Sequence, residues 1–239
     1  MARIFKEDEY NAKRNEILDF AMGLIYSKGY ERMTVQDILD GLRISRGALY
    51  HYFDSKKAIL EALVDRMGKA AQQTILPIIQ DPDLTALQKF HRYFEASAKW
   101  KSMQKELIVS LFPIWFSDEN AFLRQKMTTE TLTHTSRLLE PMIRQGIEEK
   151  VFTTRYAEQV AVIITGIFLN FAEILIRRLL STEPGKISIQ ELEVILNAHV
   201  DAIERILGAP AGSLEFFKAD DFEEWFAVTQ PEYERQGPQ

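Results

Sequence analysis

The segment Thr34–Leu60 reads "TVQDILDGLRISRGALYHYFDSKKAIL", which predicts two short helices joined by a tight turn and then the start of a longer helix. Thr34 can cap the first helix, because Asp37 follows three residues later in the capping-box pattern. Ser45 and Ser55 stand where the caps of the next two helices are expected. Two helices joined in this way have the outline of a helix-turn-helix.

The charges in this segment stand at the helix ends that disfavour them. Arg46 takes the first position of one helix, and Lys56 and Lys57 begin the next, although the positive end of a helix dipole favours acidic side chains. Gly47 weakens a first turn, and the aromatic residues 50–52 cannot all face one core. Local rules that are broken together are typical of a functional surface.

A helix that enters the major groove of DNA by its N-terminus explains this arrangement. The guanidinium of Arg46 can bond guanine O6 and N7 bidentately, and Gly47 lets the backbone approach the bases. Lys56 and Lys57 stand where the amides of the next helix also attract a phosphate. We expect Arg46, Gly47, Tyr50 and His51 to face outward, and Ile38, Leu42, Ile44, Ala48, Leu49 and Phe53 to face inward.

The segment resembles the tetracycline-repressor (TetR) family of bacterial transcription regulators. It has a threonine-led helix, a small turn, the pattern S-x-G-x-x-Y-x-Y-F, and then a lysine and a leucine in the family's order. The likeness covers about residues 11 to 65, and beyond them only the length and the all-helical layout match. The family turn often has glycine where this chain has Arg43, so either Arg43 adopts a positive φ or the turn differs.

The resemblance implies a homodimer, a ligand cavity in a larger second domain and release of DNA when a small-molecule effector binds. It predicts a repressor on a near-palindromic double-stranded operator. The competing interpretations are a helical protein-interaction module that does not bind DNA and an all-α enzyme. The predicted DNA-binding residues are Thr34, Arg43, Ser45, Arg46, Gly47, Tyr50, His51, Lys56 and Lys57.

The composition agrees with DNA binding only locally. The 239 residues carry a net charge of −6, but residues 43–57 hold four basic residues and one acidic residue. An electrostatic footprint for DNA needs only such a local patch. The chain has no cysteine, and its first residues, MARIFKEDEY, lack the apolar region of a secretory signal, so we predict a cytoplasmic protein.

Helical periodicity recurs along the rest of the chain, so the sequence predicts an all-α protein. We expect a helix-turn-helix domain over residues 1–57 whose first residues are a flexible arm, a ligand-binding and dimerisation domain over 58–212, and an amphipathic extension over 213–239. The apolar run at 160–176 is interpreted as a buried helix rather than a membrane segment. Expected helices after the first domain span 55–76, 84–100, 103–116, 120–150, 156–180 and 188–207.

No catalytic motif and no metal spacing among the four histidines is found in the sequence, so we expect no enzyme activity, metal or cofactor. Aromatic and polar residues of the larger domain can line a ligand pocket, although aromatic residues on helices more often belong to a plain core. Glu173 either contacts a cationic ligand or pairs with Arg177 one helical turn later. The predicted ligand-binding residues are Trp100, Phe112, Trp115, Phe116, Phe168, Asn170, Phe171 and Glu173.

Overall fold

The structure is a computed structural model that describes residues 2–115, 117–180, 188–214, 216, 222 and 225. Within these residues the chain is all-α: it forms nine α-helices, one short 3-10 helix at Asp118–Asn120 and no strand. The predicted fold class is therefore confirmed. The helices are α1 Ala2–Lys28, α2 Val35–Leu42, α3 Arg46–Tyr50, α4 Lys56–Gln80, α5 Ala86–Met103, α6 Lys105–Trp115, α7 Ala121–Glu148, α8 Ala157–Leu180 and α9 Ile189–Leu207.

The chain folds into two compact units, and the first consists of residues 1–70 and 106–115. Its core is made by apolar side chains that recur at helical spacing on α1 and that pack with those of α2 and α4. An ion pair of 2.6 Å between Lys28 and Asp37 joins the end of α1 to the start of α2. A second pair, 2.7 Å between Arg66 and Asp19, joins α4 to α1. The fully buried residues include Ile17, Leu18, Ala21, Ile38, Leu49 and Ile59.

The second unit consists of residues 71–105 and 116–239. Helix α7 packs against both α5 and α8, and α8 packs against α9. Glu149, at the end of α7, accepts a hydrogen bond of 3.0 Å from the amide of Ala86 and so satisfies one of the free donors at the start of α5. One continuous core forms between these helices, and it includes Phe90, Phe94, Leu139, Met142, Ile143, Ala161, Ile164, Ile203 and Leu207.

Helix α1 begins at Ala2, within the residues that were expected to form a flexible arm. The helices after the first domain follow their predicted boundaries within a few residues, with one difference at Pro77. We expected Pro77 to end the fourth helix, but α4 continues through it to Gln80. Proline in a helix interior removes one hydrogen-bond donor and does not remove the packing of the helix. Ile75 and Ile79 on either side are buried, and this packing holds the last turn. The chain then leaves the helix at the predicted loop 81–83.

Helix α9 ends in a left-handed residue that is fastened to the loop before α8. Gly208 has φ 64°, and its carbonyl accepts a hydrogen bond of 3.3 Å from the Thr153 hydroxyl. The amides of Thr153 and Thr154 both donate to the Leu207 carbonyl at 3.0 Å. The last four carbonyls of a helix have no partner within the helix. Here one of them, the Leu207 carbonyl, accepts two hydrogen bonds from this loop. A Cβ on Gly208 would overlap the Thr153 hydroxyl.

Gly208→Ala is expected to lower the free energy of unfolding by about 1 to 3 kcal/mol, because alanine is strained at positive φ and also displaces Thr153. Urea unfolding followed by circular dichroism measures this change. Gly68→Ala on α4 is the matched control, since a Cβ there meets nothing within 4 Å. The control should be neutral or stabilising by up to about 1 kcal/mol. Equal losses in the two variants would contradict the role given to Gly208.

Candidate nucleic-acid interface

Helix α3 presents almost its whole surface to solvent. Leu49 is its one buried residue, and Arg46, Gly47 and Tyr50 are exposed. The Ser45 hydroxyl caps the helix by accepting the amide of Ala48 at 3.2 Å. The expectation that Ala48 faces inward is wrong, because Ala48 is exposed. A five-residue helix turns fewer than two times, so only Leu49, helped by Phe53 in the following turn, reaches the core.

Arg43 ends α2 in the left-handed conformation, with φ 52° and ψ 44°. Of the two alternatives left open by the sequence, the structure therefore shows the positive φ. The amide of Ile44 donates to the Leu39 carbonyl at 3.1 Å, which closes the turn as in a helix end that uses glycine. The Arg43 side chain is exposed beside the cap of α3. Two arginines, Arg43 and Arg46, thus flank this cap, and neither has an ion-pair partner among the described residues.

Thr34 forms the capping box that the sequence predicts. Its hydroxyl accepts the Asp37 amide at 3.1 Å and donates to Asp37 Oδ2 at 2.7 Å, and its own amide donates to the same oxygen at 2.7 Å. Lys28 adds the ion pair from α1. These contacts lower the pKa of the Asp37 carboxyl to about 2, with the Lys28 hydrogen bond as the largest cause and the Thr34 bonds next. Thr34 itself is exposed.

The two lysines at the start of α4 are half-buried. Lys56 Nζ lies 4.2 Å from the centre of the Tyr30 ring and donates to the Glu31 carbonyl at 3.1 Å. Burial lowers the pKa of Lys56, and the charge of Glu31 opposes that shift. An ammonium group has three donors, so the bond to Glu31 leaves others for a ligand. Lys56 is therefore held in place by the loop between α1 and α2.

The structure adds an aromatic cluster that the sequence analysis missed. Tyr10 of α1 lies 5.7 Å from the His51 ring and 4.8 Å from the Tyr52 ring, measured between centroids. Four residues further along α1, the Arg14 guanidinium lies 5.0 Å from the centre of the Phe53 ring. In the sequence, the only indication of this cluster was the four-residue spacing of Tyr10 and Arg14, which places both side chains on one face of α1. Helix α1 thus supports the chain directly after α3.

The predicted ligand-binding residues are distributed over both units. Phe112 is buried in the first unit, whereas Trp100 and Phe168 are half-buried residues of the second. Phe171 is buried and lies 5.4 Å from the His199 ring of α9. The Trp115 side chain and Phe116 lie outside the described residues.

The polar members of the predicted pocket have partners within the second unit. Glu173 forms an exposed ion pair of 2.7 Å with Arg177, which was the simpler of its two interpretations. Asn170 is exposed, and its Oδ1 lies 3.2 Å from His199 Nε2. No group of three or more His, Cys, Asp or Glu side chains in the described part of the chain has the spacing of a metal site.

Comparison with known proteins identifies the first unit. Residues 17–63 match the family model of bacterial regulatory proteins of the tetR family. Residues 17–63 are therefore similar to the DNA-binding domain of the TetR family. An HTH-type transcriptional regulator of Lactococcus lactis subsp. lactis is 38% identical over 80 residues, which are 33% of this chain and 41% of that protein. The negative regulator IcaR of the Staphylococcus aureus biofilm operon is 41% identical over 51 residues, 21% of this chain and 27% of its own.

The chain spans less than half the length of either of these relatives. Solved structures extend the fold likeness to most of the chain. A transcriptional regulator from Cytophaga hutchinsonii superposes with a TM-score of 0.61 at 15% identity and covers 82% of this chain and 97% of its own. Reduced NemR from E. coli gives 0.54 at 24% identity, covering 83% and 99%. The proteins from Lactococcus lactis, Staphylococcus aureus and Cytophaga hutchinsonii are all named as regulators.

The capping box makes a prediction about acid stability. The ordinary pKa of the Asp37 carboxyl is 3.8 and its folded value is about 2, so the ionised group stabilises the fold above pH 4 and loses that effect as the pH falls towards 2. Asp37→Asn lacks this carboxylate. Its free energy of unfolding should therefore fall less steeply than that of the wild type between about pH 4 and pH 2.

Thr34→Ala is the graded control for this experiment, because it removes two of the contacts to Asp37 and keeps Lys28. Between about pH 4 and pH 2, the free energy of unfolding of Thr34→Ala should fall less steeply than that of the wild type and more steeply than that of Asp37→Asn. Urea midpoints at each pH measure all three proteins. Parallel curves for all three would show that the Thr34, Asp37 and Lys28 contacts do not hold the start of α2.

Proposed function

We propose that this protein is a transcriptional regulator that binds a near-palindromic operator as a dimer, acts as a repressor and is released from DNA by a small-molecule effector. The observation that carries the proposal is the exposed α3, flanked by unpaired arginines among the described residues, in a TetR-family domain. We assign DNA contact to residues 1–57 and effector binding and dimerisation to 58–212. A DNA-binding regulator of this kind works in the cytoplasm, and the IcaR relative is a negative regulator by name.

The geometry of α3 suits entry into a major groove. Arg46 is at its first position and exposed, so its guanidinium can reach a guanine edge. A Cβ on Gly47 would have nothing closer than the Ser45 hydroxyl at 4.0 Å, so the protein itself does not need glycine there. Close approach of another molecule supplies a reason for Gly47 that the fold does not. The predicted phosphate contacts are Thr34, Arg43, Ser45, Tyr50, His51, Lys56 and Lys57.

Arg46→Ala should weaken binding to the specific operator by about 1 to 3 kcal/mol and relax selectivity at one base position. Lys57→Ala is the matched control, because a phosphate contact weakens all duplexes alike and lowers the salt slope by about 1. Fluorescence anisotropy with an operator duplex and a scrambled duplex, at several salt concentrations, measures both variants. If Arg46→Ala loses the same affinity on both duplexes, the base-reading role is excluded.

Dimerisation is proposed from the outer face of α8 and α9. From Ala157 to Leu179, α8 is long and apolar enough to cross a membrane, and 33% of its most apolar window is buried. Val162 and Ile163 are 40% and 49% exposed on α8, and Val194 is 69% exposed on α9. Single exposed apolar residues are common, but several of them on two helices that pack together favour an interaction surface.

A surface groove of about 420 Å³ runs between the two helices and is lined by Ile163, Gly166, Ile167, Asn170, Ala198, His199 and Ala202. Small residues line both of its walls, so helices of another copy can approach closely. We therefore propose that α8 and α9 of two copies form a four-helix interface about a two-fold axis. The same interface accounts for the apolar face of α8 without a membrane.

Val194→Arg should weaken the dimer at least tenfold, because it places a charge in the proposed interface without an assigned partner. Gln72→Arg on α4 adds the same side chain to an exposed position outside that face and should leave the dimer unchanged. Sedimentation velocity over a range of concentrations measures both. A wild-type protein that is monomeric at micromolar concentration would contradict the interface.

Helix α4 offers a path for the effector response. It is continuous from Lys56 to Gln80, and the division between the two units falls within it, after Ala70. An effector that prefers the arrangement of α4 found off DNA shifts the population away from the DNA-binding one. A coupling of about 1 to 3 kcal/mol loosens DNA roughly 5- to 150-fold, and by linkage the operator weakens effector binding by the same factor.

A further inference from the structure

The chain after α9 turns back into the second unit through a tight turn. The amide of Ser213 donates to the Pro210 carbonyl at 3.1 Å, and Gly212 has φ 72°. A β-turn with positive φ at its third residue is a type II turn, for which glycine is the favoured residue. The turn directs residues 214 and 216 into the core, where Leu214 is 2% and Phe216 is 6% exposed.

A buried carboxylate fastens this turn to α9. Glu204 is 5% exposed, and its two oxygens accept the amides of Gly212 and Leu214, both at 2.9 Å. A carboxylate that leaves water must recover its hydrogen bonds inside the protein, and here backbone amides of the segment supply two of them. These two hydrogen bonds of Glu204, to the amides of Gly212 and Leu214, are called the Glu204 latch below. The latch depends on the charge and shape of one side chain on α9.

The Phe216 ring lies among aromatic rings of α5 and α8. Its centroid is 4.2 Å from that of Phe94 and 5.3 Å from that of Phe168, and these two rings are 4.6 Å from each other. Phe90 lies 6.4 Å away. All four side chains are hydrocarbon rings, so the space that Phe216 fills is apolar and of the size of a phenyl group.

Phe216 differs from the other rings of this group in how its backbone is held. Phe90, Phe94 and Phe168 belong to long helices, whereas Phe216 lies in non-helical chain just beyond the Glu204 latch. Non-helical chain lacks the regular ladder of hydrogen bonds that holds a helix, and it opens at a lower free energy than the helices it packs on. The Phe216 ring is therefore the member of the group that another aromatic molecule can displace with least disruption.

We propose that Phe216 is an internal plug in the effector site of the second unit, and that the effector is an uncharged aromatic molecule that displaces it from Phe94 and Phe168. The proposal rests on the effector response proposed above and names its ligand class and its regulation. The three phenyl rings around Phe216 carry no charge. A charged aromatic ligand would therefore lose its hydration there at a cost in free energy. The Glu204 latch sets how often the site is open to the effector.

Benzene is the probe, because it reproduces the displaced ring. A site open in one molecule of ten binds tenfold more weakly than a site that is always open. Glu204→Gln leaves every lining residue intact and replaces one acceptor of the latch by a donor, so it should bind benzene about tenfold or more tightly than the wild type. Asp201→Asn is the matched control: it changes an exposed carboxylate of the same helix, paired with Arg205, and should bind benzene like the wild type.

Hydrogen exchange reports the segment directly. In the wild type, saturating benzene should speed exchange of the Gly212 and Leu214 amides, because the plug leaves and the latch opens. Phe216→Ala is the second variant, used also if Glu204→Gln fails to fold, and it too should bind benzene at least about tenfold more tightly. Faster amide exchange in Glu204→Gln without tighter benzene binding would overturn the proposal, as would amide exchange in the wild type that benzene leaves unchanged.

Operator binding separates this proposal from the function on which it rests. Benzene should lower operator affinity of the wild type roughly 5- to 150-fold. Benzene that competes with the segment but leaves operator affinity unchanged would overturn the assignment of the space as the effector site. A protein that binds no specific DNA refutes the proposed function, while the benzene affinities and amide exchange still decide whether Phe216 plugs a ligand site.

Discussion

Burial of Leu49 is the constraint on which the candidate DNA-binding surface depends. A five-residue helix is far below the length that is stable in water, so α3 exists because the core of the first unit holds it. Leu49 is 1% exposed, and Phe53 extends the anchor into the next turn. With the anchor confined to these two side chains, the rest of α3 is left to face solvent. Destabilising the core would remove the surface without touching any residue on it.

The basic residues near α3 fall into two physical groups. Lys28, Arg14 and Lys56 are used inside the first unit, where they contact Asp37, the Phe53 ring and the Tyr30 ring. Arg43 and Arg46 are exposed beside the cap of α3. The net charge of the chain, −6, therefore says little about DNA binding. The exposed part of a local patch is what a phosphate backbone meets.

The second unit combines a firm helical core with two unusual surfaces. Its core is shared by α5, α7, α8 and α9, yet α8 and α9 leave an apolar groove open on one side. On another side, non-helical chain supplies Leu214 and Phe216 to the core, held by the Glu204 carboxylate. In both features, residues that resemble ordinary packing residues of a single helix are given a proposed function. They also place the proposed dimer contact and the proposed effector site on different faces of α8.

The sequence by itself determined the fold class, the helix-turn-helix and its caps, because helical periodicity and capping are local properties of the chain. Glu173 with Arg177 is of the same kind, being separated by one helical turn. Other features were decided only by tertiary structure. Ala48 is exposed because a short helix has one inward position, and α4 passes Pro77 because packing outweighs a lost hydrogen bond. Long-range pairs, such as Tyr10 with His51 and Phe94 with Phe216, join residues far apart in the chain, and no local pattern in a single sequence specifies which of many aromatic rings will meet.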